Sequence, residues 1–224
     1  MENLPFGPNK SLASHFPGAI KLSGSASIRV TAEPYCVLGI DPAAAGATGF
    51  GIVERAGNRC RMLRLGALRP SKPLAANHHL CKIHQLLTEL IQEFQPRAVA
   101  LESVFAALNV KAALRLAEVR GVVLLAAAQA GVPAFSYSPR EVKATVAGYG
   151  HAGKEQVQQM VRALLGMTET PEPADAADAL AVAVCHIEIA EGRERLGVRL
   201  TSKNEAGTRR HGNRQSPPGI LSVR

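Results

Sequence analysis

The sequence predicts an α/β domain built on a mixed sheet, and three observations carry that prediction. Two short apolar runs, Cys36-Val37-Leu38-Gly39-Ile40-Asp41 and Ala98-Val99-Ala100-Leu101-Glu102, each end in an acid and read as buried central strands. Two more strand-like runs follow the first across short turns, as in an antiparallel meander. Beyond them helical and strand patterns alternate, which puts helices on both faces of the sheet.

Taken in order, residues 1–35 hold no sustained period of 2 or 3.6 and contain Pro5, Pro8, Pro17 and Pro34, so a disordered extension is expected. The first strand covers residues 36–41, and a turn through 43–48 leads to a second at 49–54. After Ala56-Gly57-Asn58 a third runs from about 59 to 68. Leu80, Ile83, Leu87, Leu90, Ile91 and Phe94 recur at helical spacing, and Pro96 closes that helix. The fourth strand is 98–102. A long helix from about 109 to 130 stops at Gly131, and the fifth strand is 132–137. Ser138-Pro139 caps and opens a helix to about 147, and two more span 154–165 and 174 to about 191. Gly and Pro punctuate the rest. The expected organisation is a folded domain at 36–191 between the extension and a disordered basic tail at 192–224.

Composition narrows the class. The chain has 224 residues, 46% of them hydrophobic, and no apolar run reaches the roughly 18 residues of a membrane span. The nearest is 122–128. With no apolar block near the start to act as a secretory signal, a cytoplasmic protein without membrane association is expected. Cys36, Cys60, Cys81 and Cys185 are scattered, which favours free thiols. Net charge is +8, and residues 192–224 contribute eight Lys/Arg against two acids. A basic tail on a nearly neutral core suggests a polyanionic partner such as nucleic acid, or a solvated end.

The feature most in need of explanation is Asp175 and Asp178, three residues apart on one face of an alanine-rich helix. Burying unpaired carboxylates costs several kcal/mol each, and a divalent cation would offset that. Asp41 and Glu102, at the carboxyl ends of two central strands, stand where ligands bind in open α/β sheets. Four carboxylates make an oxygen-only donor set suited to Mg²⁺ or Mn²⁺, with room for two ions that activate water in phosphodiester hydrolysis. Small alanines beside the pair would let the helix approach the sheet.

Two other motifs carry less. Gly148-Tyr149-Gly150-His151-Ala152-Gly153-Lys154 satisfies two phosphate-loop patterns, yet it follows a helix and Glu155 stands where Ser or Thr is needed. His78, His79, Cys81 and His84 fit no usual zinc spacing. Lys111, Arg115, Arg120, Arg140, Lys143 and Lys154 are the expected phosphate contacts of the core.

The segments VLGIDPAAAGATGFGIV, AVALESVF, LAEVRGVVLLAAA, SPREVKATVAGYGHAGKEQVQQMV and ADAADALAVAVCH, in this order, resemble the RuvC family of Holliday junction resolvases over about residues 36–190. The resemblance implies a ribonuclease-H-like fold with three antiparallel strands and then two parallel ones. It implies a homodimer that nicks four-way DNA junctions symmetrically with divalent metal during recombination and repair, working with a branch-migration motor complex of the RuvA–RuvB type. Asp41, Glu102, Asp175 and Asp178 would be its metal-binding catalytic residues. Phe105 would stack on bases at the crossover, and Lys143 and Lys154 match basic positions of the DNA-binding region. One departure is visible: the turn from Asp41 to Gly49 is a residue longer than the family's and lacks its early glycine. Other readings remain: a ribonuclease-H-like enzyme for structured RNA, or a junction-binding protein without catalysis. An actin-like phosphotransferase would need a second domain. The long helix, apolar at 122–128, is the expected dimer surface.

Overall fold

A strand buried on both sides needs an apolar side chain at every position, and β1 (Tyr35–Asp41) has one or a glycine from Cys36 to Ile40, all buried. The structure is a computed structural model that describes residues 34–44, 46–70, 76–103 and 109–197. β1 is followed by β2 (Thr48–Ala56), β3 (Arg59–Leu68), α1 (Ala76–Phe94), β4 (Ala98–Glu102), α2 (Val110–Gln129), β5 (Ala134–Tyr137), α3 (Pro139–Ala147), α4 (Lys154–Leu164) and α5 (Ala174–Arg195).

The five strands form one sheet in the order β3-β2-β1-β4-β5. β1, β2 and β3 pair antiparallel, while β4 joins β1 and β5 joins β4 in parallel. Alternation along β1 sends Val37, Gly39 and Asp41 to one face and Leu38 and Ile40 to the other. Leu38 and Ile40 pack with Ile83, Leu87 and Val123 of α1 and α2. Val37 packs with Val146, Val161 and Leu180 of α3, α4 and α5. This is the ribonuclease-H-like arrangement that the sequence predicts.

Local signals set the ends of the elements. Asn109 Oδ1 accepts from Ala112 N–H at 2.9 Å to start α2. Ser138 and Glu141 form a reciprocal capping box at α3, which ends at Gly148 in the left-handed conformation. Three ends differ from expectation by two residues or more, one of them in β2, which runs past 54 to Ala56, where it still pairs with Arg59 of β3. β5 begins at Ala134, not at 132, because Val132 N–H closes onto Ala127 O at the end of α2 and Pro133 has no N–H to offer a ladder. α5 continues past 191 to Arg195, helped by the Glu191–Arg195 pair at 2.5 Å and by Arg193 and Arg195 beside the last carbonyls. The apolar run 122–128 also divides. Val123, Ala126 and Ala127 turn into the molecule's own core, whereas Leu125, with Val110 and Leu114, faces outward.

α5 is apolar on every side from Ala176 to Ile187 apart from Asp178 and His186, as a helix enclosed by other elements should be. It lies across β1 and β2 at unusually short range. A Cβ at Gly39 would collide with the carbonyl oxygen of Ala179, and one at Gly49 with that of Asp175. Hydrogen has to occupy both positions for the helix backbone to rest on the strands. Farther along, His186 is fully buried, and its Nε2 and Nδ1 lie 2.6 and 2.7 Å from the hydroxyls of Tyr35 and Tyr137. Burial lowers its pKa to about 4, so the ring is neutral, with one nitrogen accepting and the other donating. That network ties α5 to β1 and β5.

Substituting Gly49→Ala should lower stability by about 2–3 kcal/mol, because the methyl meets helix backbone that cannot yield as a side-chain tip would. Denaturant unfolding at pH 7 reads it directly. An unchanged midpoint would contradict the close packing.

Candidate active site

Asp41 is the last residue of β1 and Glu102 the last of β4. The parallel ladder between these strands is in register through Ile40 and Leu101, so the two acids are next neighbours. They fall on the α5 face, since Gly39 and Ala100, two residues earlier, do so. On its other side Asp41 pairs across β2 with Gly49, the residue beneath the Asp175 carbonyl. The first turn of α5 therefore sits over the end of β1, and Asp175 and Asp178 share its face at i and i+3.

Electrostatics register the gathering. Burial pushes the Asp41 carboxyl up to about 7, and the charges of Glu102, Asp178 and Asp175 add to the rise while Lys154 opposes it. Burial and Asp178 likewise raise Glu102, against Lys143 and Lys154. Lys154, the first residue of α4, donates to Asp178 Oδ2 at 2.6 Å, and that bond raises its own pKa. Glu102, Asp178, Lys143 and Lys154 together border a cleft of about 210 Å³ between α3, α4 and α5.

The donor set fits a hard divalent cation. All four groups are carboxylates, and a cation among them would offset both the burial of Asp41 and the charges of its neighbours, which together raise it. With the side chains as they stand, no three acidic, His or Cys groups among the described residues close around one point. Asp178 is turned to Lys154 instead, so holding an ion with it would require that ion pair to open.

The other expected site residues separate into groups. Lys143 and Lys154 stand at the cleft. Lys111 and Arg115 are exposed on the first turns of α2, and Arg140 is exposed on α3. Arg120 is half-buried and donates to groups of the protein itself, Glu102 O and Ser136 Oγ. Phe105 lies outside the described residues, as does Ala45 of the longer turn. The Lys154–Asp178 pair has no sequence signature, since the partners are 24 positions apart. The sequence signal for the histidine network is His186 itself, a polar residue set in an apolar helix run. His78, His79 and His84 form no metal cluster among the described residues.

Residues 37–186 match the family model described as crossover junction endodeoxyribonuclease RuvC. The chain belongs to the RuvC family. It is 45% identical over 161 residues to the crossover junction endodeoxyribonuclease RuvC of Chloroflexus aggregans, covering 72% of this chain and 98% of that one. The Moorella thermoacetica RuvC is 47% identical over 159 residues, covering 71% and 95%. Among solved structures, Thermus thermophilus RuvC in complex with Holliday junction substrate matches with a TM-score of 0.67 at 38% identity, over 73% of this chain and 96% of that one. The five-stranded RuvC sheet and its helices thus extend through all the described elements up to His186.

The raised Asp41 has a consequence for stability without metal. An acid whose folded pKa exceeds its usual 3.8 holds a proton that the unfolded chain releases, so the folded state loses stability as pH rises from about 4 to about 7. His186 acts oppositely, losing stability as pH falls from 6.5 toward about 4. The difference between wild type and Asp41→Asn isolates the aspartate. In EDTA the variant should gain stability over wild type by on the order of 2 kcal/mol at pH 8 and little at pH 4. Parallel pH profiles in denaturant unfolding would show that neither burial nor the neighbouring acids raise Asp41.

Proposed function

We propose that this RuvC-family chain resolves four-way DNA junctions as a metal-dependent endodeoxyribonuclease, with Asp41, Glu102, Asp175 and Asp178 as its metal-binding catalytic residues. The observation that carries the assignment is the meeting of two strand-end acids with two acids from the start of α5, at the position where Gly49 lets the helix approach. Their all-oxygen chemistry suits Mg²⁺, with Mn²⁺ as a substitute, and four carboxylates are enough charge to share between two ions. Bound there, the ions would generate a nucleophilic water and take up charge on the leaving oxygen.

The chain's own residues do the rest. Asp41, at the end of β1 and within the charge field of Glu102, Asp175 and Asp178, would hold the metal together with them. Glu102 faces it from β4, and Asp175 and Asp178 cover it from the helix. Lys143 and Lys154 stand on the cleft wall beside Glu102 and Asp178, where a phosphate entering the site would meet ammonium groups. Lys154 is paired with Asp178 at 2.6 Å, and were Asp178 to hold metal, the Lys154 ammonium would be free for a phosphate. Lys111, Arg115 and Arg140 lie on exposed helix faces and suit backbone contacts farther along the arms.

Paired nicks need two active sites, hence a C2 homodimer. Val110, Leu114 and Leu125, at 76, 61 and 52% exposure on α2, support a second copy docking on that helix. Four-way DNA is the substrate, as in the T. thermophilus complex. A RuvA–RuvB type motor is the partner implied by family membership, and DNA in the cytoplasm is the setting. No described helix is long and apolar enough to cross a membrane.

A synthetic four-way junction tests the reading. Wild type should cut it in Mg²⁺ and stop in EDTA. Asp41→Asn should lose about two to three orders of magnitude in cleavage rate. Its junction affinity should hold or rise, because a negative charge facing phosphate is gone. Cleavage that persisted in Asp41→Asn would overturn the metal-site assignment.

A further inference from the structure

Arg120 was expected among the phosphate contacts, yet its guanidinium points inward. Nη1 donates to the main-chain carbonyl of Glu102 at 3.2 Å, and Nη2 donates to Ser136 Oγ at 2.5 Å. Burial lowers its pKa from the ordinary arginine value, in keeping with a guanidinium withdrawn from water and held by the protein's own acceptors.

The sheet register explains why Glu102 needs this donor. Val99 N–H donates to Pro133 O, just before β5, and Ser103 N–H, just past β4, donates to Tyr137 O of β5, so the odd-numbered amides point toward β5 at this end. The even-numbered groups, Glu102 among them, then point toward β1. With Leu101 beside Ile40, Glu102 stands beside residue 41. In a parallel ladder its carbonyl would accept from the nitrogen of the following residue on β1. That residue is Pro42, which has no N–H. The strand that presents Asp41 cannot hold the carbonyl of Glu102, and a side chain from α2 does so. The same planar fork grips Ser136, one residue before the β5 partner of Glu102, Tyr137.

We propose that Arg120 is a positioning residue for the metal site, replacing the backbone donor absent at Pro42 and fixing the end of β4 so that the Glu102 carboxylate faces Asp41. It acts through Glu102 and does not touch the reacting atoms. The inference rests on Glu102 being a metal ligand.

The test uses the full chain and Mn²⁺ titrated calorimetrically into metal-free protein without DNA, together with the salt dependence of junction binding in EDTA. Partners that orient a ligand typically contribute about 10-fold or more to metal affinity. Arg120→Gln should weaken Mn²⁺ by about that factor and leave the slope of log affinity against log salt unchanged. Ser136→Ala keeps the charge, removes one anchor, and should weaken Mn²⁺ in the same direction by less, which keeps the idea open to refutation should Arg120→Gln fail to fold. Unaltered Mn²⁺ affinity in both variants would overturn it, whether or not thermal stability fell. So would normal Mn²⁺ affinity with a salt slope reduced by about one, the mark of a phosphate contact. Glu102→Gln is the control: if that variant binds Mn²⁺ as wild type does, the assignment of Glu102 fails first.

Discussion

The near-contact of the α5 backbone with β1 and β2 is the constraint on which the rest of this molecule depends. Helices ordinarily stand off a sheet by the length of their side chains. Here Gly39 and Gly49 remove Cβ from the strands, while Ala176, Ala177, Ala179 and Ala183 keep the helix surface short. The helix consequently comes down onto the end of β1, and Asp175 and Asp178 arrive beside acids contributed by strands far away in sequence. A longer side chain at either glycine would lift the turn that carries both aspartates.

What that packing creates is electrostatically unfavourable by itself. Burial, with the like charges beside it, raises the Asp41 carboxyl to about 7, and Lys154 pairs with Asp178 as a partial remedy. An enzyme that must bind cations and then phosphate can use such a site, since the repulsion is relieved when cations enter. Stability given up in the empty state becomes affinity in the loaded one. The protein offsets the loss elsewhere, with eleven buried residues in α5 and with the neutral His186 held between Tyr35 and Tyr137.

The two faces of the sheet divide the labour. α3, α4 and α5 bring acids and lysines to the cleft, while α1 and α2 complete the core behind it. α2 links the two, because Arg120 reaches around the end of β4 to the carbonyl of Glu102 and its outward apolar residues suit a second copy.

Much of this was legible in the chain. Strand periodicity, acids at strand ends, the Ser138-Pro139 cap and the i, i+3 spacing of Asp175 and Asp178 are local signals, each dictated by backbone geometry within a few residues. They gave every element and the four acids. Ends were missed where a distant or main-chain partner decided them: Val132 closing on Ala127, and Arg195 pairing with Glu191. Which cations meet phosphate was not legible. Charge is a property of the residue type, but whether Arg120 faces DNA or Glu102 depends on how α2 lies against β4 and on a proline in a neighbouring strand. The sequence by itself determined the elements, the family and the acids that could share a metal. Only the tertiary structure decided that Asp178 rests on Lys154, that His186 bridges two tyrosines and that Arg120 turns inward, because hydrogen-bond partners 16 to 151 residues apart are chosen by packing and by no local pattern.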